Sequence, residues 1–427
     1  MSGWLVNFLI QFKEFNELLL KSTFLYDTPQ FLIIEDTLND RVELIKNAFQ
    51  KQFLKTKIYY AYKACDLPYI CEKLYKSRLG AEVASDLELD LARSIGQKEI
   101  IFNGPGKTKK EIELAINNSA VIIVDNFEEL GLINKIAFNL KIKASIGVRL
   151  SMPFIKNRNW ARFGIQPNLL PEFLKLTRKE FISFKGIHFH IGTEIENPGI
   201  YIKNIIFLSN LLKKLNSFDR KQINFINIGG GFGVEGYRKR NYPEYKFNFL
   251  NVIKSIPINF SRNKSIENFA QDITEAFRGR ILSLKDLANV ELWLEPGRWI
   301  IDPVIHLLTK VLYTKDGGII LDGNIVFCHR VVKEIHPVFN LSNFSFRKIE
   351  QKLYGSLGRP DDLIGKFYFG QELKRGNIVC LANLGAYSNI DRARFVKPLP
   401  RIVCLSNGNL RLLAKEETFE QRYQRFI

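Results

Sequence analysis

The sequence has no long uninterrupted apolar run and only five cysteines among its 427 residues. A membrane-spanning helix needs about 18 or more consecutive apolar residues, so we predict no transmembrane segment. The cysteines are scattered, odd in number and free of metal-type spacing, which indicates reduced thiols and predicts a cytoplasmic protein without disulfides. The N-terminus has no basic start and no small-residue cleavage site, and we therefore expect no signal peptide.

Acidic residues are in the minority, and the formal net charge is +18 at pH 7. A positive excess of this kind occurs in proteins that bind nucleic acids or anionic membranes. However, the lysines and arginines are spread along the chain and mixed with acidic residues, without a sustained basic run. We predict neither a nucleic-acid nor a membrane partner, and an anionic small ligand also fits the charge.

Short apolar runs recur along the chain with helix-like segments between them, which is typical of a parallel α/β fold. Eight such units in series favour a (β/α)8 barrel of the TIM type over an open doubly wound sheet, where about six strands are more usual. The candidate strands are KIYYAY from Lys57, GAEVA from Gly80, EIIF from Glu99, VIIV from Val121, ASIGVRL from Ala144, KGIHFHI from Lys185, INFINI from Ile223 and VELWLE from Val290.

The pattern changes at about residue 302, where helical periodicity fades and short β-rich runs punctuated by glycine begin. These runs indicate an antiparallel sheet or a small barrel. The first 35 residues precede the barrel pattern and end in the extended segment TPQFLII. We therefore predict a barrel domain over residues 36–301 and a β-rich domain built from residues 1–35 and 302–427.

Reactive side chains stand where the candidate strands finish, and barrels of this type hold their active sites at the C-terminal ends of the strands. These residues are Lys63, Glu82, Arg149, His188, His190, Gly229, Gly230, Gly231, Glu295 and Arg298. Alternation along the first strand places Tyr59, Ala61 and Lys63 on one face. If that face lines the barrel, apolar neighbours lower the pKa of the Lys63 ammonium and favour a nucleophilic amine, whereas a surface lysine just past the strand is the alternative.

The three glycines of residues 229–231, here called the glycine loop, follow the seventh strand, and EPGR follows the eighth. The loops after these two strands are the usual phosphate site of the fold, although a glycine run alone can also be a plain loop tip. Consecutive N–H groups, a following helix N-terminus and Arg298 would bind the anion. Glu295 needs a cationic or protonated partner if it is buried. His188 and His190 have a spacing that suits a metal, but the other histidines show no ligand pattern, so we predict a ring that stacks on a flat ligand and no metal site.

An amine that forms a Schiff base, a phosphate cradle, a carboxylate for a ring nitrogen and a stacking imidazole together indicate a pyridoxal 5′-phosphate site. Eight motifs then occur in the order found in one family: YAYKAC, GAEVASDLEL, IIFNGPGKT, ARFGI, GIHFHIGTEI, GGGFG, EPGRWI and NLGAYS. The chain thus resembles the fold type III pyridoxal phosphate decarboxylases that act on diaminopimelate, ornithine or arginine. The resemblance covers most of the chain and implies an alanine-racemase-like barrel with a β-rich C-terminal domain.

The resemblance also implies roles for particular residues. Lys63 would carry the cofactor as a Schiff base, His190 would stack on its ring, and Glu295 would bind the pyridinium nitrogen. Thr193, the glycine loop and Tyr387 would contact the phosphate, with Arg298 near the phosphate or the substrate carboxylate. The predicted catalytic residues are Lys63, His190, Glu295 and Asp362, and the predicted cofactor-binding residues are Lys63, Arg149, His190, Thr193, Gly229, Gly230, Gly231, Glu295, Arg298 and Tyr387.

The C-terminal region departs from the family pattern. The usual segment, roughly YGPLCESGD, reads YGSLGRPDD here, so that Gly358 replaces a cysteine while Asp362 keeps the acidic position. No substrate-binding arginine can be aligned in VFCHRVVKEIHPVF, residues 326–339. A wider pocket and the added cation of Arg359 predict a substrate that is larger than diaminopimelate or ornithine, or that bears a further carboxylate.

The predicted function is therefore the decarboxylation of an amino acid or an amino-acid-derived intermediate. Members of the resembled family are homodimers with active sites shared across the interface, which we expect here as well. Two alternatives remain at this point. A racemase of the same barrel type would need a second base, and a catalytically silent regulatory homologue would fit the missing cysteine.

Overall fold

All eight strands predicted for the barrel are present in the structure, a computed structural model that describes residues 3–234, 238–239, 264–328, 334–343, 349–388 and 395–424. The strands are β1 Gln30–Ile34, β2 Thr56–Ala61, β3 Gly80–Val83, β4 Ile100–Phe102, β5 Val121–Val124, β6 Ala144–Arg149, β7 Ile182–His188, β8 Phe225–Asn227, β9 Arg238–Lys239, β10 Glu291–Leu294, β11 Ile305–Lys315, β12 Gly318–Leu321, β13 Glu334–Ile335, β14 Val338–Asn340, β15 Ile349–Tyr354, β16 Leu363–Phe369, β17 Ile378–Leu381, β18 Arg401–Ser406 and β19 Asn409–Ala414. The helices are α1 Gly3–Tyr26, α2 Glu35–Gln52, α3 Pro68–Lys76, α4 Asp86–Ser94, α5 Lys109–Asn117, α6 Phe127–Leu140, α7 Leu170–Leu176, α8 Gly199–Lys213, α9 Ser217–Lys221, α10 Ile266–Phe277, α11 Arg298–Ile301 and α12 Phe419–Tyr423.

Strands β2 to β8 and β10 pair in parallel with their neighbours, and β10 pairs with both β8 and β2. The sheet is therefore a closed barrel of eight strands, and the predicted (β/α)8 fold is confirmed. Because all eight strands run in the same direction, their C-terminal ends meet at one mouth of the barrel.

Aromatic and β-branched side chains fill the interior of the barrel below that mouth. Tyr59, Ile101, Ile123, Phe225 and Trp293 form one buried cluster. The rings of Phe225 and Trp293 stack with centroids 3.7 Å apart and an angle of 6° between their planes. The barrel is thus a packed core, and the site can lie only at its ends.

Helices α4, α5 and α6, which follow barrel strands, begin at residues whose side chains cap them. Ser85 accepts a hydrogen bond from the Glu88 N–H at the start of α4, and Thr108 forms a capping box with Glu111 at the start of α5. Such caps satisfy backbone N–H groups that the first helical turn leaves without partners. They fix the short loops between strand and helix, which carry the polar residues of the mouth.

The chain divides into two compact units, one of residues 41–234 and 262–299, and one of residues 1–40, 235–261 and 300–427. In the second unit β1 lies between β18, to which it is parallel, and β11, to which it is antiparallel. A strand near the N-terminus therefore forms part of a sheet whose other strands come from beyond residue 300. The boundaries at 36 and 301 stay a prediction, and most of 235–261 lies outside the described residues. None of the described helices is long and apolar enough to cross a membrane.

Candidate active site

Lys63 lies at the mouth of the barrel, in a single 3-10 turn, Tyr62–Ala64, that follows directly on β2. Its Nζ atom is 2.8 Å from Oε1 and 2.7 Å from Oε2 of Glu82, the penultimate residue of β3. The Glu82 side chain is 1% exposed, whereas that of Lys63 is 46% exposed. The prediction that strand alternation would surround this ammonium with apolar groups is wrong, because the strand ends at Ala61 and Nζ contacts a buried carboxylate.

Glu295 follows β10 and is buried in a network of polar side chains. Its Oε1 accepts a hydrogen bond from Asn227 Nδ2 at 2.7 Å, and its Oε2 lies 3.2 Å from His188 Nε2 and 3.5 Å from Asn103 Nδ2. Burial acts to raise the pKa of Glu295, but the interactions with His188 and Lys63 outweigh it and lower that pKa to about 2. The partner that the sequence demanded for this carboxylate is the His188 ring, whose Nε2 lies within hydrogen-bond distance.

The two histidines of the GIHFHI motif have different surroundings. His188 is fully buried and directs Nε2 at Glu295, and burial lowers its pKa. His190 packs its ring against Trp160, with centroids 4.7 Å apart and planes 59° apart. Burial, with Arg149 and Lys63 nearby, lowers the pKa of His190 well below its usual value. Both rings are therefore neutral at pH 7, and a neutral ring suits stacking on a flat ligand.

The glycine loop has no room for side chains at Gly230 and Gly231, because the backbone of other segments lies close to it. A Cβ atom on Gly230 would lie 2.0 Å from the Glu295 carbonyl oxygen, and one on Gly231 would lie 2.0 Å from that of Gly192. The Gly229 N–H donates to Asn227 Oδ1, and the Gly230 N–H donates to His190 Nδ1. In this structure these two N–H groups are thus engaged by side chains of the barrel, and the binding of an anion by the glycine loop stays a prediction. A helix N-terminus was also predicted in the segment after the loop, where residues 235–237 and 240–263 lie outside the described residues.

Three further predicted residues lie at the mouth. Arg298, at the start of α11, has its Nε 3.0 Å from Glu194 Oε1, and both side chains are buried. Arg149 ends β6 and is 7% exposed, with its guanidinium carbon 4.6 Å from the centre of the Phe163 ring. Thr193 is half-buried in the loop that packs on Gly231. The barrel therefore brings its predicted residues together at one end, although Arg298 meets a carboxylate there that the sequence did not predict.

Residues 36–302 match the family described as "Pyridoxal-dependent decarboxylase, pyridoxal binding domain". The chain belongs to the pyridoxal-dependent decarboxylases. Over 92% of its length it is 25% identical to the diaminopimelate decarboxylase of Aquifex aeolicus, of which it covers 90%. It is 26% identical to the L-glutamyl acyl-carrier protein decarboxylase of Niallia circulans, with 92% of each chain covered. The diaminopimelate decarboxylase of Helicobacter pylori in complex with L-lysine has a similar fold, with a TM-score of 0.77, 24% identity, and 93% of this chain and 96% of that chain covered.

As a pyridoxal-dependent decarboxylase, the protein uses pyridoxal 5′-phosphate to decarboxylate an amino acid. The residues at the mouth fit this cofactor in their chemistry. Lys63 supplies an amine, Glu295 an ionised carboxylate and His190 a neutral ring, while Thr193 and Arg298 supply donors beside the glycine loop. The racemase and silent-homologue alternatives are not favoured, because the matched relatives are decarboxylases.

Two predicted site residues belong to the second unit. Asp362 is buried, and its Oδ1 and Oδ2 accept hydrogen bonds from the N–H groups of Ile325 and Leu357. Burial raises the pKa of Asp362. The carboxylate therefore supports its own loop, and its catalytic role stays a prediction. Tyr387 is half-buried and has a left-handed backbone, with φ of 66°.

The substitution at residue 358 lies in the same loop as Asp362. A Cβ atom on Gly358 would meet nothing within 4 Å, and the neighbouring Arg359 forms an ion pair with Asp361. The charge of Arg359 is thus partly matched within its own turn. Within the segment 326–339, in which no substrate-binding arginine could be aligned, residues 329–333 lie outside the described residues.

Several residues of the site were missed by reasoning from the sequence. Asn103 and Asn227 complete the Glu295 network, and each stands at the end of a barrel strand, which is the signal that could have revealed them. Glu194 and Trp160 come from the long loops after β7 and β6. No periodicity marks such loop positions, so their contacts are visible only in the folded chain.

We predict that Gly230→Ala destabilises the protein and weakens cofactor binding. The added methyl group overlaps the Glu295 carbonyl, and the backbone must shift, at a cost of about 2 kcal/mol or more. Chemical denaturation and equilibrium binding of pyridoxal phosphate measure the two effects. The matched control is Gly131→Ala in α6, where a Cβ meets nothing within 4 Å and the change is within about 1 kcal/mol, in the stabilising direction. Equal behaviour of the two variants would contradict the packing argument.

Proposed function

We propose that Lys63 is the residue that binds pyridoxal phosphate and that the mouth of the barrel is where the amino acid loses its α-carboxylate. The observation that carries the proposal is the closure of the barrel between β10 and β2. It brings Lys63, beyond the end of β2, to the same mouth as Glu295, beyond the end of β10. An amine and a carboxylate of low pKa then lie at the same mouth of the barrel. Pyridoxal phosphate requires both groups, because it has an aldehyde and a basic ring nitrogen.

When bound, pyridoxal phosphate supplies an electron sink for the electron pair that remains at Cα after CO2 leaves. Glu295 stays ionised because its pKa is about 2, so it holds a proton on the ring nitrogen. Asn227 and His188 fix the orientation of this carboxylate by binding one oxygen each. A carboxylate has about four lone-pair positions, and the contacts from Asn227, His188 and Asn103 leave room for a further donor at Oε1.

The remaining predicted residues would orient the cofactor. The neutral His190 ring, held by Trp160 and the Gly230 N–H, would lie against its flat face. Thr193, Arg298 and the glycine loop would hold its phosphate, together with Tyr387 from the second unit. Arg149 adds a buried positive charge for an anionic group. These roles rest on the position of each residue and on the resemblance to the family.

The substrate that we propose is an amino acid or an amino-acid-derived intermediate. The relatives at 25% and 26% identity act, by their names, on diaminopimelate and on a glutamyl group attached to a carrier protein. The replacement of the family's cysteine by Gly358, where a Cβ atom would meet nothing within 4 Å, is the basis on which we propose a substrate larger than diaminopimelate or ornithine. The ion pair of Arg359 with Asp361 weakens the argument for an additional carboxylate.

We also propose that the protein is cytoplasmic and forms a homodimer with shared active sites. The five cysteines, all buried and none in a disulfide, support an intracellular location. The homodimer is supported by the resemblance to the family. Asp362 is the residue that we expect to act in the active site of the partner. Its carboxylate also stabilises its own loop, by accepting hydrogen bonds from two backbone N–H groups.

We predict that borohydride treatment of the holoenzyme attaches the cofactor to the peptide that contains Lys63, and that Lys63→Ala abolishes turnover. Borohydride reduces a carbon–nitrogen double bond to a stable secondary amine, so peptide mass spectrometry locates the lysine. Lys57→Ala is the control, because Lys57 lies on β2, the strand that precedes Lys63, but pairs with Glu99 and Glu291 instead. A label on any other lysine would reject the assignment of Lys63.

We predict that Glu295→Gln keeps the cofactor bound but lowers kcat by on the order of 100-fold or more. A neutral amide does not hold the proton on the ring nitrogen, and the electron sink is weakened. Cofactor absorbance and the rate of CO2 release are the measurements. Glu291→Gln, at the other end of β10, is the control and leaves kcat unchanged. A normal kcat in Glu295→Gln would remove this residue from the mechanism.

We predict that the protein turns over meso-diaminopimelate and ornithine poorly compared with a larger substrate. A panel of free amino acids and of aminoacyl groups on a carrier protein, assayed for CO2, amine and optical inversion, measures this preference. Gly358→Cys fills the open space and shifts the preference toward the smaller substrates. Efficient turnover of diaminopimelate or ornithine by the wild-type protein would overturn the size argument.

A further inference from the structure

Glu82, which none of the predicted cofactor roles includes, is in direct contact with the amine of Lys63. Both oxygens of Glu82 lie within 2.8 Å of Nζ, a distance typical of charge-assisted hydrogen bonds. Glu82 is 1% exposed and is placed by the pairing of β3 with β2, in which it lies opposite Ala61. The position of the carboxylate is therefore fixed by the barrel, and it holds the more exposed lysine.

Other ionisable groups act on Lys63 from the elements around it. Glu88 of α4, Glu295 after β10, and His188 and His190 of the β7 end interact with it electrostatically. Glu88 is engaged elsewhere, since its Oε2 accepts the Ala84 N–H at 2.6 Å. Glu295 is bound by Asn227 and His188. Glu82 is thus the carboxylate that contacts Nζ with both of its oxygens.

An ion pair of this kind opposes the reaction that Lys63 has to perform. Only a neutral amine adds to an aldehyde, whereas a carboxylate at 2.7 Å stabilises the ammonium. The proton must therefore leave Nζ, and Glu82 is already within hydrogen-bond distance to receive it. Burial raises the pKa of Glu82, which makes this transfer less unfavourable than it would be to an exposed carboxylate.

We propose that Glu82 is a catalytic residue that holds Lys63 as an ammonium while this lysine is not bonded to the cofactor, and accepts its proton when it bonds. In the transfer an N–H bond breaks and a carboxyl O–H bond forms, which leaves a neutral amine and a carboxylic acid. The amine then adds to the cofactor aldehyde, and one water molecule leaves. The inference rests on the proposed role of Lys63, but the proton transfer concerns only residues of this chain.

The test measures the protonation of Lys63 directly in the full-length chain without cofactor. Only the neutral amine reacts with acetic anhydride. Trace acetylation across a pH series, followed by peptide mass spectrometry, therefore gives for each lysine the pH at which half of its amine is neutral, here called its midpoint. In Glu82→Gln we expect the Lys63 midpoint to fall by about one pH unit or more, because the ammonium loses its partner. Lys57 is an internal control in every sample, and Glu99→Gln, which removes a carboxylate that contacts Lys57, leaves the midpoint of Lys63 unchanged.

A second measurement separates proton acceptance from simple positioning. Pyridoxal 5′-phosphate is added to the same chain, and its capture is followed by absorbance and by borohydride trapping. After correction for the fraction of neutral amine, Glu82→Gln should capture the cofactor about tenfold more slowly or worse, since it cannot accept a proton. If Glu82→Gln lowers the Lys63 midpoint but leaves the corrected rate of cofactor capture as in the wild type, the proton-acceptor role is rejected. If the Lys63 midpoint is unchanged, the proposal as a whole is rejected.

Glu82→Asp serves as the conservative variant and restores part of the capture rate, because a carboxylate is present at a shorter reach. If circular dichroism shows that Glu82→Gln does not fold, Glu82→Asp carries the test, and a midpoint equal to that of the wild type contradicts the pairing. The result is distinct from that for the proposed function. A cofactor found on another lysine refutes the role of Lys63 whatever its midpoint, whereas a cofactor on Lys63 with an unmoved midpoint refutes only the role of Glu82.

Discussion

The closure of eight parallel strands into a barrel is the constraint on which the rest of the site depends. Lys63 and Glu295 are separated by more than half of the chain, and they meet because β10 pairs with β2. Glu82 reaches Lys63 because β3 pairs with the other edge of β2. No single loop could hold these groups at hydrogen-bond distances. The stacked Phe225 and Trp293 rings belong to the buried cluster below the mouth, and the polar groups lie above it at the end of the barrel.

Bringing so many ionisable groups out of water is expensive unless each finds a partner. The mouth meets this condition in two adjoining pairs. Glu295 is satisfied by His188 and Asn227, and Glu82 is satisfied by Lys63. The pairs also act on each other, because the Glu295 charge raises the pKa of Glu82 while Lys63 lowers that of Glu295. A change in the protonation of Lys63 therefore changes the pKa of Glu295, the carboxylate that would bind the ring nitrogen.

The sequence predicted the eight strands and most of the residues at their ends, because parallel buried strands read as apolar runs and the fold fixes which end carries chemistry. It could not predict what those residues touch. Strand alternation failed at Lys63 because a 3-10 turn begins one residue after Ala61. The sequence could not show why the glycine loop lacks side chains, because glycine permits both ligand binding and close backbone approach. The distances to the Glu295 and Gly192 carbonyls reveal the close approach, and phosphate binding by the loop stays a proposal.

The distribution of the family's features over the chain explains why the cofactor can be identified more readily than the substrate. The match to the pyridoxal-binding domain covers residues 36–302, and the polar network around Lys63, Glu295 and His190 lies wholly within the barrel unit. The departures from the family pattern, at Gly358 and in the segment 326–339, all fall in the other unit. The chemistry of the cofactor requires the same few side chains of the protein whichever substrate is bound, so the residues at the barrel mouth can vary little. A binding pocket needs only to match one substrate, and the residues that do so can change while the barrel stays as it is.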